Sequence, residues 1–219
     1  MAQCMYCNKK SIFLTIDKNK SCKSCSPFIQ QAVTNHLRII KESKELVEKS
    51  KNYKTRIGRI DDILDHLNYL KDYANKGYQL TGDIDANIIK YLSLKEKMIN
   101  KFANITVTEC LQKADLAKTL NSKLNNANKA ILFLEEMKKQ YDFKDSTMLG
   151  KIKEYTHLVE YKDLYEKAEK EEFKGNSKKA IDKYMDVLFF LKKDDIDDNL
   201  QSKDINMIEE KIKGLQQQV

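Results

Sequence analysis

The sequence is short of residues that break a chain. It has one proline and six glycines in 219 residues. An all-β fold needs many turn residues, so this scarcity argues against one and favours long helices. Tryptophan is absent and histidine occurs three times. Scattered histidines give no obvious base for a nucleophile. The chain also lacks a glycine-rich phosphate loop, a GxSxG and an HExxH. No apolar run approaches the ~20 residues a membrane span needs. Met1 is followed almost at once by a cysteine, with no charged-then-apolar leader. These absences lead us to expect a cytoplasmic protein that is not an enzyme and has no membrane partner.

Charged residues make up 33% of the chain against 41% hydrophobic, but the apolar positions are periodic. The polarity therefore reads as solvated helix faces rather than disorder. Charge is uneven along the chain. Residues 1–26 carry five Lys against one Asp, whereas residues 142–219 carry fifteen Lys against eighteen acids. The head is mildly basic and the tail mildly acidic.

The sharpest chemical signal lies in the cysteines. Four of the five form two CxxC pairs, Cys4-Met-Tyr-Cys7 and Cys22-Lys-Ser-Cys25, with fourteen residues between them. A CxxC places two sulfurs on one tight turn, and two such turns facing each other complete the tetrahedron Zn²⁺ prefers. We expect one structural zinc ion held by Cys4, Cys7, Cys22 and Cys25. Four thiolates leave no open coordination position, which argues against a catalytic metal. Between the pairs, Ser11 to Ile16 is β-rich and Asp17 to Lys20 has a turn composition. The pattern predicts a hairpin there, with Ile12, Leu14 and Ile16 on a face that packs on the first helix. Ser26-Pro27 predicts a helix start, with Ser26 as its N-cap.

Knuckle, hairpin, then a helix starting at the second pair: this order resembles a treble-clef zinc finger, with the zinc ribbon as a close alternative. The resemblance covers only the first thirty to forty residues. The glycine usual after a knuckle is replaced by Asn8 and Ser26. Such modules bind nucleic acid in some families and protein in others.

Residues 27–141 read as a body of antiparallel helices. Phe28, Ala32, Val33, His36, Leu37, Ile40, Leu46 and Val47 recur at helical spacing, and Ile57, Ile60, Leu64, Leu67, Leu70 and Tyr73 follow beyond a break near Asn52. A third helix is expected from Ile88 to Phe102, interrupted by the β-branched run Asn104 to Thr108. The next periodic stretch, Leu111 to Met137, reads as one long helix or as two broken near Asn121-Ser122. Cys110 on this stretch is expected to be a buried thiol. His36 and His66 read as packed or surface side chains, and Asp61, Asp62 and Asp65 as a solvated face.

Residues 142–219 read as a helical hairpin plus a capping helix. Ala168, Gly175, Ala180 and Tyr184 follow one another at intervals of seven, five and four residues. This resembles a tetratricopeptide repeat, whose small residues sit where two helices cross and whose aromatic follows the second by four. Leu164 stands at the early tryptophan position and the closing proline is absent. An unrelated helical hairpin accounts for the same residues. The acidic run from Asp194 is expected to face solvent. Met207, Ile208 and Ile212 are expected in the core of the last helix.

The fold class is thus mainly α: a zinc-bound hairpin module at 1–26, antiparallel helices at 27–141 and a repeat-like end at 142–219. The leading expectation for function is a non-enzymatic protein–protein adaptor or regulator. Its lysine-heavy, motif-poor composition resembles accessory proteins of low-GC bacteria and their phages. The alternative is a nucleic-acid-binding regulator that uses the basic zinc module, with Lys9, Lys10, Lys20, Arg38, Arg56 and Arg59 as contacts. Long exposed helices are also compatible with a homodimer.

Overall fold

The computed structural model describes residues 1–193 and 198–217. Among the described residues the chain is mainly helical, with seven helices and one two-stranded hairpin. The hairpin pairs β1 (Ala2–Gln3) with β2 (Lys10–Ser11) antiparallel, Ala2 opposite Ser11 and Gln3 opposite Lys10. The helices are α1 (Ser26–Lys49), α2 (Tyr53–Asn75), α3 (Ile84–Asp115), α4 (Leu120–Tyr141), α5 (Ser146–Phe173), α6 (Ser177–Lys193) and α7 (Asp198–Gln216). The chain forms two compact units, Met1–Phe102 and Ala103–Val219.

In the first unit, α1 and α2 form a hairpin around the fully buried Ile57, Ile60 and Ile63. Asn52 caps α2 by accepting from the Thr55 N–H at 3.0 Å. A carboxamide oxygen on the first orphan donors is what allows so short a break as Ser50-Lys51-Asn52 to reverse the chain. The far end of α2 closes at Gly77, which sits at φ +93. The Tyr78 N–H reaches the Tyr73 carbonyl at 3.0 Å and the Gly77 N–H reaches Ala74 at 2.8 Å. This is the paired closure a left-handed C′ residue permits. The first part of α3 joins this unit through Lys95–Asp61 (2.5 Å), Lys71–Asp85 (2.6 Å) and the stacked rings of Tyr53 and Phe102. Asp61 is therefore partnered rather than merely solvated.

The second unit stacks consecutive helices: α4 on α5, α5 on α6 and α6 on α7. Its core holds Ala168, Ala180, Tyr184, Val187, Leu191, Ile205 and Ile208. Gly175, at φ +74, turns α5 into α6 with the same paired closure, Asn176 N–H to Glu171 C=O (3.0 Å) and Gly175 N–H to Glu172 C=O (2.9 Å). Above it, Lys211 of α7 bonds Glu172 of α5 (2.9 Å) and Tyr184 of α6 (3.0 Å), while the Tyr184 hydroxyl donates to Glu172.

Several local expectations need correcting. The run Asn104 to Thr108 lies inside α3 without interruption. Ala103 and Val107 are buried four residues apart on one helix face, and that burial outweighs the weak helix propensity of the β-branched residues between them. The next break falls at Leu116 to Thr119, slightly before Asn121-Ser122, because Thr119 caps α4 by accepting from the Ser122 N–H. Cys110 is half-buried rather than buried. Phe28 and Met207 are exposed, whereas Ile208 and Ile212 are in the core. Residues 194–197 of the acidic run lie outside the described residues, and its last residue, Asp198, begins α7.

Candidate metal centre

Cys4 and Cys7 sit on the turn between β1 and β2. Its backbone closes through the Asn8 N–H on the Cys4 carbonyl (3.0 Å) and the Cys4 N–H on the Lys9 carbonyl (3.0 Å). Asn8 takes φ +58 there, the left-handed conformation expected where glycine is missing. Cys22 and Cys25 lead into α1, with the Cys25 and Ser26 N–H groups on the Cys22 carbonyl at 2.9 Å. The helix begins where the sequence predicts. Its N-cap, however, is Cys25, which makes no side-chain cap bond, and Ser26 is already helical.

The expected hairpin is present one knuckle earlier. It encloses the first CxxC, and only Ser11 of the β-rich run belongs to it. Between the pairs, a single antiparallel bridge joins Ile16 to Cys22 around the Asp17–Lys20 turn. Ile12 and Phe13 occupy a turn corner, 72% and 89% exposed, so Ile12 leaves the expected apolar face, whereas Leu14 and Ile16 are half-buried. The pairing stops at Ser11, where the chain turns through Ile12 and Phe13.

Asp17 holds the second loop together. Its Oδ1 accepts from the Asn19 and Ser21 N–H groups at 2.9 Å each, and its Oδ2 accepts from the hydroxyls of Ser21 (2.6 Å) and Ser26 (2.7 Å). Burial pushes its carboxyl upward, but these bonds to the charged form outweigh it and hold the group below its ordinary value of 3.8. The knuckles are tied to each other by the Met5 N–H on the Lys20 carbonyl (3.0 Å). They are tied to the end of α2 by Gln79, whose N–H donates to the buried Asn19 side chain at 3.0 Å.

The four cysteine sulfurs all lie within 4.8 Å of one another, Cys7 and Cys22 at 3.9 Å. Sulfurs about 2.3 Å from a tetrahedral zinc would stand about 3.8 Å apart. The four residues are thus placed to hold a metal ion. Their chemistry points the same way. Burial pushes the Cys4 thiol up, yet the N–H groups of Cys7, Tyr6 and Cys22 favour its thiolate and bring it down to about 6. The neighbouring Cys22 and Cys7 thiols push Cys25 up to about 12. Four thiolates this close need a cation between them.

The other sequence-predicted contacts fall in different surroundings. Lys9 and Lys10 are exposed. Lys20 is also exposed, at φ +60, and its aliphatic stem lies against Gly77. Arg38 pairs with Glu42 (2.7 Å) and Arg59 with Asp62 (2.9 Å) on the exposed faces of their own helices, and Arg56 Nε donates to the Val47 carbonyl at 2.8 Å. Ala168, Ala180 and Tyr184 are fully buried together and Gly175 makes the turn between their helices.

One arrangement was not legible in sequence. His36 of α1 and His66 of α2 face each other, Nδ1 to Nδ1, at 2.7 Å, with the His36 ring stacked on Tyr69. One imidazole must donate and the other accept. Burial, and then His66, lower the His36 pKa from 6.5. Tyr73 continues the ring cluster to Tyr6 beside Cys7. Thirty residues separate the two histidines, so only the α1–α2 packing reveals the pair.

No family model, curated protein or solved structure matches the chain. None of the described helices is long and apolar enough to cross a membrane.

Proposed function

We propose that this chain is a non-enzymatic interaction protein: a helical scaffold for another protein, with its N-terminus stapled by one structural zinc ion. The observation that carries this reading is the packing order of the second unit, in which α4 to α7 each rest on their neighbours in sequence. That one-dimensional arrangement is the physical basis of repeat scaffolds, which present long grooves to helices or extended peptides. Ala168, Ala180 and Tyr184 packed at the α5–α6 crossing fit a tetratricopeptide-like hairpin. A cleft of about 470 Å³ between α4 and α5 is floored by Ile131, Leu134, Phe143 and Leu149 and flanked by Lys138 and Lys144 together with Glu135 and Asp145. Its apolar floor and mixed-charge rim suit an amphipathic segment.

Zinc is the metal that suits four thiolates at these separations, and such a closed set serves folding rather than chemistry. The nucleic-acid alternative keeps the exposed lysines, while Arg38 and Arg59 already carry exposed ion pairs on their own helices and Arg56 is tied to the Val47 carbonyl.

The test is affinity purification of the tagged full chain from its own cells after nuclease treatment, with captured proteins identified by mass. The expected result is one stoichiometric protein, lost when Leu134→Glu and Phe143→Glu are introduced. Nucleic acid recovered without nuclease, and no protein with it, would overturn the adaptor reading.

A further inference from the structure

Ile12 and Phe13 occupy an unusual place. The Leu14 N–H bonds the Ser11 carbonyl at 3.4 Å, and the Ser11 Oγ accepts from the Phe13 N–H at 3.2 Å. Ile12 and Phe13 are therefore the two corner residues of a tight turn. Corners are ordinarily filled by Gly, Pro, Asn, Asp or Ser, for conformational reasons and because they face water. Here they hold two large apolar side chains, 72% and 89% exposed. Neither contributes burial within the described residues, so folding gives no reason for them.

The surroundings add charge of one sign. Lys9 and Lys10 lie just before the turn in sequence and are exposed, as are Lys18, Lys20 and Lys23 elsewhere in the module, and the one acidic residue of the first 26, Asp17, is turned onto Ser21 and Ser26. Four thiolates and a divalent ion subtract two from the module's charge and leave it weakly basic. The turn sits on a rigid stem: β2 is paired with β1, and the cysteine cluster lies at the base of both knuckles.

We propose that the Ile12–Phe13 turn is a membrane-surface contact that dips into the interface of an anionic lipid bilayer while the flanking lysines meet the headgroups. An apolar wedge with a lysine fringe matches that boundary on both counts, and two weak signals together give reversible attachment. Single-stranded nucleic acid fits less well. Ile12 has no ring for a base to stack on, and the module has no arginine. The absence of a membrane-spanning helix does not bear on this proposal, since surface contact needs only a few side chains. The proposal is independent of the partner-binding cleft.

The test uses the full zinc-loaded chain and vesicles of phosphatidylcholine, with or without an equal part of phosphatidylglycerol. Sedimentation should recover the protein with the anionic vesicles and not with the neutral ones. Phe13→Ser should lower the partition at least about tenfold. Lys10→Gln should lower it about fivefold, the equivalent of roughly 1 kcal/mol per surface lysine. Circular dichroism and zinc content of both variants should match the parent. Because the chain has no tryptophan, Phe13→Trp supplies a unique fluorophore. Its emission should shift to the blue on anionic vesicles and stay unchanged with oligothymidylate. Equal binding to both vesicles, no binding to either, or unchanged partition of Phe13→Ser would overturn the proposal. So would a Phe13→Trp signal that responds to oligothymidylate instead.

Discussion

The chemistry turns on a few side chains whose partners are far off in sequence. His36 and His66 share one hydrogen bond between α1 and α2, and that bond needs an unprotonated nitrogen on one ring. Burial first, and then His66, favour the neutral form of His36 in the fold. The unfolded chain consequently binds a proton there more readily than the native one. The sign follows: this contribution is present above the ordinary histidine value of 6.5 and is lost as pH falls through the lowered native value. We expect urea midpoints to fall as pH drops from 6.5 through the lowered native value and to level off below it, and His36→Phe to flatten the dependence. A wild-type midpoint that holds steady across the range would contradict the pairing.

At the scale of elements, two glycines end helices by the same closure but differ in surroundings. Gly175 has open space where a Cβ would stand, so Gly175→Ala meets only the cost of a left-handed alanine, about 1 kcal/mol. At Gly77 an added Cβ would come within 2.6 Å of Lys20 Cγ, so the stem of Lys20 would have to move as well. Gly77→Ala should cost about 2 kcal/mol, the conformational cost plus overpacking against the second cysteine loop. It should also weaken metal retention against a chelator, which Gly175→Ala should leave unchanged. Equal effects of the two substitutions on metal retention would show that Gly77 does not support the loop.

For the whole molecule, the two compact units make metal dependence a local matter. Residues before Ser26 contribute no helix, and the buried Ile57, Ile60 and Ile63 belong to α2. Chelation, or Cys7→Ser, should therefore leave the helical circular dichroism nearly intact. It should also lower the first unit's melting temperature and open residues 1–25 to protease. The transition of Ala103–Val219 should not move. Loss of most of the helical signal would mean that the metal organises the core of the first unit as well.

Local pattern by itself determined a good deal. The CxxC spacing specified a four-thiol cluster, the scarcity of Pro and Gly specified helices, and the break near Asn52 marked the start of α2, because these signals act within a few residues. Tertiary packing decided the rest. It carried α3 unbroken through Asn104 to Thr108, since burial of Ala103 and Val107 is invisible to propensity. It moved the hairpin onto the first knuckle and left Ile12 and Phe13 in solvent, although alternation alone would have made them a strand. It joined His36 to His66, and Asn19 to Gln79, across thirty and sixty residues. Sequence reasoning reads interactions between neighbours along the chain. Contacts that depend on how two helices cross are fixed only when the whole unit has packed.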